Sequence, residues 1–283
     1  MINNFKTYLQ VEKGCPETTV RTYVNAILDF YNVMNIQDFH SVTKREIRSY
    51  LCKLKEEKFN NASTRNKKLS SLRAFFRFLL KENIIKTNPT SGIENAKQRK
   101  SLPKVLSKDE ICKMSEVVRN IASTRDRVII ELFFATGMRI SELTNLRLRQ
   151  FNLREKYLII FGKGQKERFC PLDDKIVQLI IKYLTERKVK SKFLFPSSID
   201  HNRPMDNSAI RKIIYKYGNL ADIKIKPHTI RHTFATDLCS NGADIRIIQE
   251  LLGHSDIRST QIYTKVNNEL IKETYQKCRS III

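Results

Sequence analysis

Phe133-Phe134-Ala135-Thr136-Gly137-Met138-Arg139-Ile140-Ser141-Glu142-Leu143 is an apolar run that stops at a glycine and restarts on an arginine. Glycine takes the left-handed backbone that ends a helix without a Cβ clash, so a helix is predicted to close at Gly137 and a new turn to open at Arg139. An arginine fixed there is well placed to fork two N–H donors onto a phosphate. Glu142, three residues on, is placed to orient it; a plain surface salt bridge between Arg139 and Glu142 accounts for the same spacing.

Three further stretches carry chemistry-bearing side chains. Tyr157–Phe161 and Glu167–Cys170 flank Gly162-Lys163-Gly164-Gln165-Lys166, which reads as a β-hairpin with Lys163 at its tip. An ordinary turn lysine fits that position too. Gly-x-x-x-x-Gly-Lys-Ser/Thr is absent, so no nucleotide cofactor is expected. After Pro227, a helix start, His228, Arg231 and His232 fall on one side, with Ile230, Phe234 and Leu238 on a core stripe. His228 and His232 have zinc spacing, but Thr229 stands where a His-Glu-x-x-His motif needs Glu, so no metal site is expected. Ile247–Leu252 is an apolar helix stopped by Gly253, leaving His254 either as a C-terminal cap or as a donor. Tyr263 follows, a half-buried core tyrosine or a nucleophile. Two arginines, a lysine and two histidines offer many donors to one phosphate, and a tyrosine behind them suggests phosphodiester cleavage through a covalent protein–DNA bond without metal.

Composition points the same way. The 283 residues carry 52 Lys+Arg against 29 Asp+Glu, a net charge of +23. Residues 1–104 hold 20 and 9 of these, +11, and residues 105–283 hold 32 and 20, +12. Both halves are basic, as expected if both grip one nucleic acid. A hydrophobic content of 41% fits a folded chain and not a disordered one. The six cysteines (15, 52, 112, 170, 239, 278) include no Cys-x-x-Cys pair, which argues against zinc and a disulfide framework. No apolar stretch approaches the roughly 20 residues that span a bilayer. No membrane partner and a cytoplasmic location are expected.

The first part reads as helices. Pro16 opens one containing Val20, Tyr23, Ile27, Phe30 and Tyr31 at helical spacing. Thr43-Lys44-Arg45-Glu46 is a capping box before Ile47, Tyr50, Leu51 and Leu54. A third helix over 62–81 has the stripe Leu69, Leu72, Phe75, Phe76 and Leu79. Its cations Arg65, Lys67, Lys68, Arg73 and Arg77 either track phosphates or form a solvated face. The pattern stops near Asn88-Pro89, and 96–104, with Lys97, Arg99 and Lys100, reads as a basic linker lying against DNA. Ser107–Glu110 is a second capping box. The organisation is thus a helical domain over 1–95, a linker over 96–104 and a second domain over 105–283. It is mainly α with a small β-sheet in the C-terminal domain. Arg65, Lys68, Arg73, Lys97, Arg99 and Lys100 are the candidate DNA contacts. The tail, with Leu270, Ile271, Tyr275 and Ile281–Ile283, suits either docking on a partner or packing on its own domain.

Taken in order, Arg139, Lys163, His228-x-x-Arg231, Leu251-Leu252-Gly253-His254 and Tyr263 resemble the tyrosine recombinase (phage integrase) family, nearest to its Xer group. The resemblance spans nearly the whole chain. It implies a helical SAM-like core-binding domain and a catalytic domain, linked into a C-shaped clamp on double-stranded DNA. Tyr263 would be the nucleophile, leaving a 3′-phosphotyrosyl link and a free 5′-hydroxyl. Arg139, Arg231 and His254 would hold the phosphate oxygens, Lys163 would protonate the leaving oxygen, and His228 would handle the tyrosine's proton. No cofactor, metal or ATP is implied. Four protomers on two sites would exchange strands through a Holliday junction, alone or with a homologous recombinase, in chromosome or plasmid dimer resolution. Integration of a mobile element and type IB topoisomerase-like nicking are the alternatives.

Overall fold

A computed structural model describes residues 1–98, 104–162, 167–253 and 265–280. The chain divides into two compact units, Met1–Ser101 and Leu102–Ile283.

The first unit is helical. α1 (Ile2–Thr7) runs on through a π-turn at Tyr8–Glu12, followed by α2 (Glu17–Met34), α3 (Lys44–Glu56) and α4 (Ala62–Lys81). α4 has the bounds its apolar spacing predicts. The Thr43 amide donates to Glu46 at 2.7 Å, closing the first capping box. Asn61 accepts from the Thr64 amide at 2.8 Å and starts α4. α2, α3 and α4 pack around Ile27, Phe30, Ile47, Tyr50, Phe75 and Phe76, all buried, though Tyr31 at the end of the α2 stripe is exposed. The aromatic rings meet mostly edge to face, the arrangement their quadrupoles favour. After α4 the chain returns along it: Asn66 donates to the Ala96 carbonyl at 2.9 Å and accepts from the Ala96 amide at 2.8 Å. The stretch expected as a basic linker is held to α4 at its first residue.

The second unit opens where its capping box lies. Ser107 accepts from the Glu110 amide at 3.1 Å, and Glu110 accepts from the Ser107 amide at 2.8 Å, starting α5 (Lys108–Ile121). α6 (Thr124–Thr136) is buried from Val128 to Thr136 on every side, the pattern of a central helix. α5, α8 (Asp174–Glu186), α9 (Asn207–Leu220) and α10 (Pro227–Ser240) surround it, and α7 (Ile140–Thr144) follows it directly. Beside them lies an antiparallel sheet in the order β1 (Phe151–Asn152), β2 (Tyr157–Phe161), β3 (Glu167–Pro171). Strands β2 and β3 match the predicted hairpin, with Phe161 paired to Glu167. The two-residue β1 was not expected; it exists through its pairing of Phe151 with Leu158.

The last helices cover the sheet. α11 (Ile245–Leu252) and α12 (Lys265–Cys278) both pack on β3 and on α10. Ile271 and Tyr275 of the tail are buried in their own unit, and the Tyr275 hydroxyl donates to the Ala135 carbonyl at 2.9 Å. Leu270 is 52% exposed. Residues 281–283 lie outside the described residues. Among those described, no helix is long and apolar enough to cross a membrane.

Candidate active site

Two glycine stops build the site. Gly137 ends α6 at φ 55° and Gly253 ends α11 at φ 64°, both left-handed as the sequence required. At Gly137 the lack of a side chain is also a packing need, because a Cβ would meet the Phe234 ring of α10 at 2.4 Å. The close approach sets the ends of α6 and α11 against the middle of α10.

A helix end leaves carbonyls without intrahelical partners. At the end of α11 three successive carbonyls each accept from a different arginine. Leu251 accepts from Arg168 Nε at 2.8 Å, Leu252 from Arg231 Nη2 at 2.6 Å, and Gly253 from Arg139 Nη2 at 3.3 Å. Arg231 also donates through Nη1 to the Gly137 carbonyl at 2.9 Å, spanning both glycine stops. The partial negative charge at a helix C-terminus favours such cations. Arg139 and Arg231, distant in sequence, thereby converge on one turn.

Glu142 is the counter-ion. It is buried, so its contact with Arg139 is no surface salt bridge. Its Oε1 accepts from Arg139 Nη1 at 2.9 Å and Arg168 Nη1 at 3.1 Å. Its Oε2 accepts from the Arg139 amide and from Arg168 Nη2, both at 2.7 Å. Burial pushes the Glu142 carboxyl up, but the bonds and charge of Arg168, with those of Arg139, outweigh it and hold the group below the usual carboxylate range. Three guanidinium charges against one carboxylate leave two positive charges in a largely desolvated cluster. Arg231, 8% exposed, bears the cost: burial, then Arg139 and Arg168, hold its pKa down to about 10. It stays charged at neutral pH, and an arriving anion relieves that cost.

His228 and His232 are exposed on α10, while Arg231, Ile230, Phe234 and Leu238 are buried. Lys163, His254, Tyr263, Arg99 and Lys100 lie outside the described residues. Of the other candidate DNA contacts, Lys97 is exposed. Arg65, Lys68 and Arg73 are engaged within their own unit. Arg65 donates to the Asn60 carbonyl at 2.5 Å and Lys68 to Asp29 at 2.6 Å. Arg73 donates to Asn95 at 2.8 Å and to the Ile93 carbonyl.

Local sequence pattern alone assigns Arg168 no role. A signal existed in the hairpin: Arg168 pairs with Ile160, whose alternation with Leu158 marks the inward face of β2. Cross-strand partners share a face, so a charge opposite Ile160 points into the unit.

The chain matches the phage integrase family over residues 104–269 and the N-terminal SAM-like domain of phage integrases over 2–83. It is 39% identical over 286 residues to tyrosine recombinase XerC of Listeria welshimeri, covering 96% of this chain and 95% of that protein. Its fold resembles that of XerH site-specific recombinase bound to difH substrate in a pre-cleavage complex, with a TM-score of 0.70 and 22% identity over 96% of this chain and 83% of that one. It also resembles a lambda integrase tetramer bound to a Holliday junction, with a TM-score of 0.72 and 18% identity over 94% and 78% of the two chains.

Proposed function

Because the chain belongs to the phage integrase family of tyrosine recombinases and is Xer-like over nearly its whole length, we propose that it breaks and rejoins DNA strands at specific sites through Tyr263. The phenolic oxygen of Tyr263 attacks the scissile phosphorus, the bond to the 5′ oxygen breaks, and a 3′-phosphotyrosyl link forms. A phenol titrates at about 10, so attack at neutral pH needs proton removal and a stabilised oxyanion. His228, exposed on α10, accepts the tyrosine's proton, and Lys163 gives one to the departing 5′ oxygen.

Arg139 and Arg231 supply the stabilisation. Arg139 uses donors on Glu142 and the Gly253 carbonyl, Arg231 on the Gly137 and Leu252 carbonyls, and each of these five-donor groups keeps others for the phosphate. Donors fixed before the reaction cost no reorganisation in the transition state and are typically worth roughly 3 kcal/mol each. His254, next in the chain after Gly253, adds a further donor. The phosphotyrosyl bond conserves the energy of the broken one, so a 5′-hydroxyl from another strand reverses the step without ATP or metal. Four protomers on two duplexes carry this through a Holliday junction, with or without a homologous recombinase. Dimer resolution of a chromosome or plasmid in the cytoplasm is the task this reading favours. The observation that carries it is the convergence of Arg139 and Arg231 on successive carbonyls of one turn, with charge to spare.

A nicked suicide duplex carrying the recombination site tests it. The expected product is a protein–DNA adduct that survives denaturation and is lost in Tyr263→Phe. No adduct from the unaltered protein on cognate sites would leave a DNA-binding protein without this chemistry. An adduct with supercoil relaxation but no strand exchange would point to a topoisomerase.

A further inference from the structure

Arg168 is the most deeply buried of the three clustered guanidinium groups, 3% exposed, and nothing in the chemistry above uses it. A charge so buried is costly unless paired and hydrogen-bonded. Here each of its three nitrogens donates a hydrogen bond. It binds both oxygens of Glu142, at 3.1 and 2.7 Å, and the Leu251 carbonyl at 2.8 Å. One planar side chain on β3 therefore fixes two things at once: the carboxylate that orients Arg139 and the helix end whose next two carbonyls hold Arg231 and Arg139. The fit is close, since a Cβ on Gly253 would meet Arg168 Cδ and Nη1 at 3.2 Å.

We infer that Arg168 is a positioning residue: it sets the spacing of Arg139 and Arg231 by tying Glu142 to the end of α11, and it holds half of Glu142's hydrogen-bonding capacity so that Arg139 keeps donors for the phosphate. The inference rests on the proposed cleavage reaction. Lysine is no substitute, because an ammonium cannot hold both carboxylate oxygens and a carbonyl in one plane. Without Arg168, the buried Glu142 loses two of its four hydrogen bonds and draws further donors of the Arg139 guanidinium, already bonded to it, away from the phosphate.

The test compares Arg168→Lys, Arg168→Met and the Arg168→Met, Glu142→Gln double variant with the unaltered protein on the suicide duplex. Single-turnover cleavage at saturating protein, DNA affinity and thermal unfolding are measured for each. The double variant removes both buried charges and guards against simple unfolding of the single variants. Cleavage is expected to fall about 100-fold in Arg168→Lys and in the double variant, with affinity within about threefold and the double variant still folded. A folded double variant, or a folded Arg168→Lys, that cleaves at the unaltered rate would overturn the inference. So would a loss of affinity that matches the loss of cleavage. If the unaltered protein forms no adduct, the cleavage reading has failed instead.

Discussion

Gly253 shows how much one residue decides. Its φ of 64° turns the chain at the end of α11 and leaves three carbonyls facing three arginines. An L side chain pays about 1–2 kcal/mol for that backbone, and here its Cβ would also press on Arg168 at 3.2 Å. Gly253→Ala is therefore expected to lower unfolding stability by about 2 kcal/mol in urea titration. It should also slow cleavage, because the carbonyls holding Arg139 and Arg231 move. Stability within a few tenths of a kcal/mol of the unaltered protein would mean the turn is not strained by a side chain. Both glycine stops were legible in the sequence, as was the pairing of Arg139 with Glu142. Arg168 was not read, because its direction depends on which residue of β2 it faces, and register becomes definite only once the strands pair.

At the scale of elements, legibility followed local chemistry. The two capping boxes, the bounds of α4 and the hairpin strands were written in neighbouring residues. What depends on distant partners was not. β1 is a strand only through β2, and Ile271 and Tyr275 are buried against partners far off in sequence, as the Tyr275 hydroxyl reaching Ala135 shows. The same holds for Lys68, which looked free on α4 but meets a carboxylate on α2. Asp29 accepts from Lys68 and the Tyr50 hydroxyl, each at 2.6 Å, and from Lys58 at 2.9 Å, joining α2, α3 and α4. Burial raises the Asp29 pKa, yet the bonds from Lys68, Tyr50 and Lys58 bring it down to about 2. A carboxyl lowered on folding stabilises the native state above its unfolded pKa of about 4 and loses that contribution as pH falls toward 2. Asp29→Asn is expected to cost roughly 2 kcal/mol at pH 7. The gap to the unaltered protein should shrink in thermal melts as pH drops below 4. A gap unchanged between pH 7 and pH 3 would refute the ionic account of this network.

Over the whole molecule, the proposed function assigns affinity and chemistry to different charges. The net +23 is shared almost evenly, with +11 before residue 105 and +12 after it. Phosphate contacts made by many such cations supply binding that is largely indifferent to any one of them. The proposed reaction instead rests on Arg139 and Arg231, held at one turn by the carbonyls of Gly253 and Leu252, where a surface lysine offers no equivalent set of oriented donors. Residues that act on one transition state as a unit are also not additive in their loss. The most direct test is therefore single-turnover cleavage set beside DNA affinity for Arg139→Ala, Arg231→Ala and the double variant. We expect each single variant to cleave at least about 100-fold more slowly, the double to fall short of the product of the two losses, and all three to bind DNA within about threefold of the unaltered protein. Cleavage that persists without Arg231, or affinity that collapses in step with cleavage, would contradict the account.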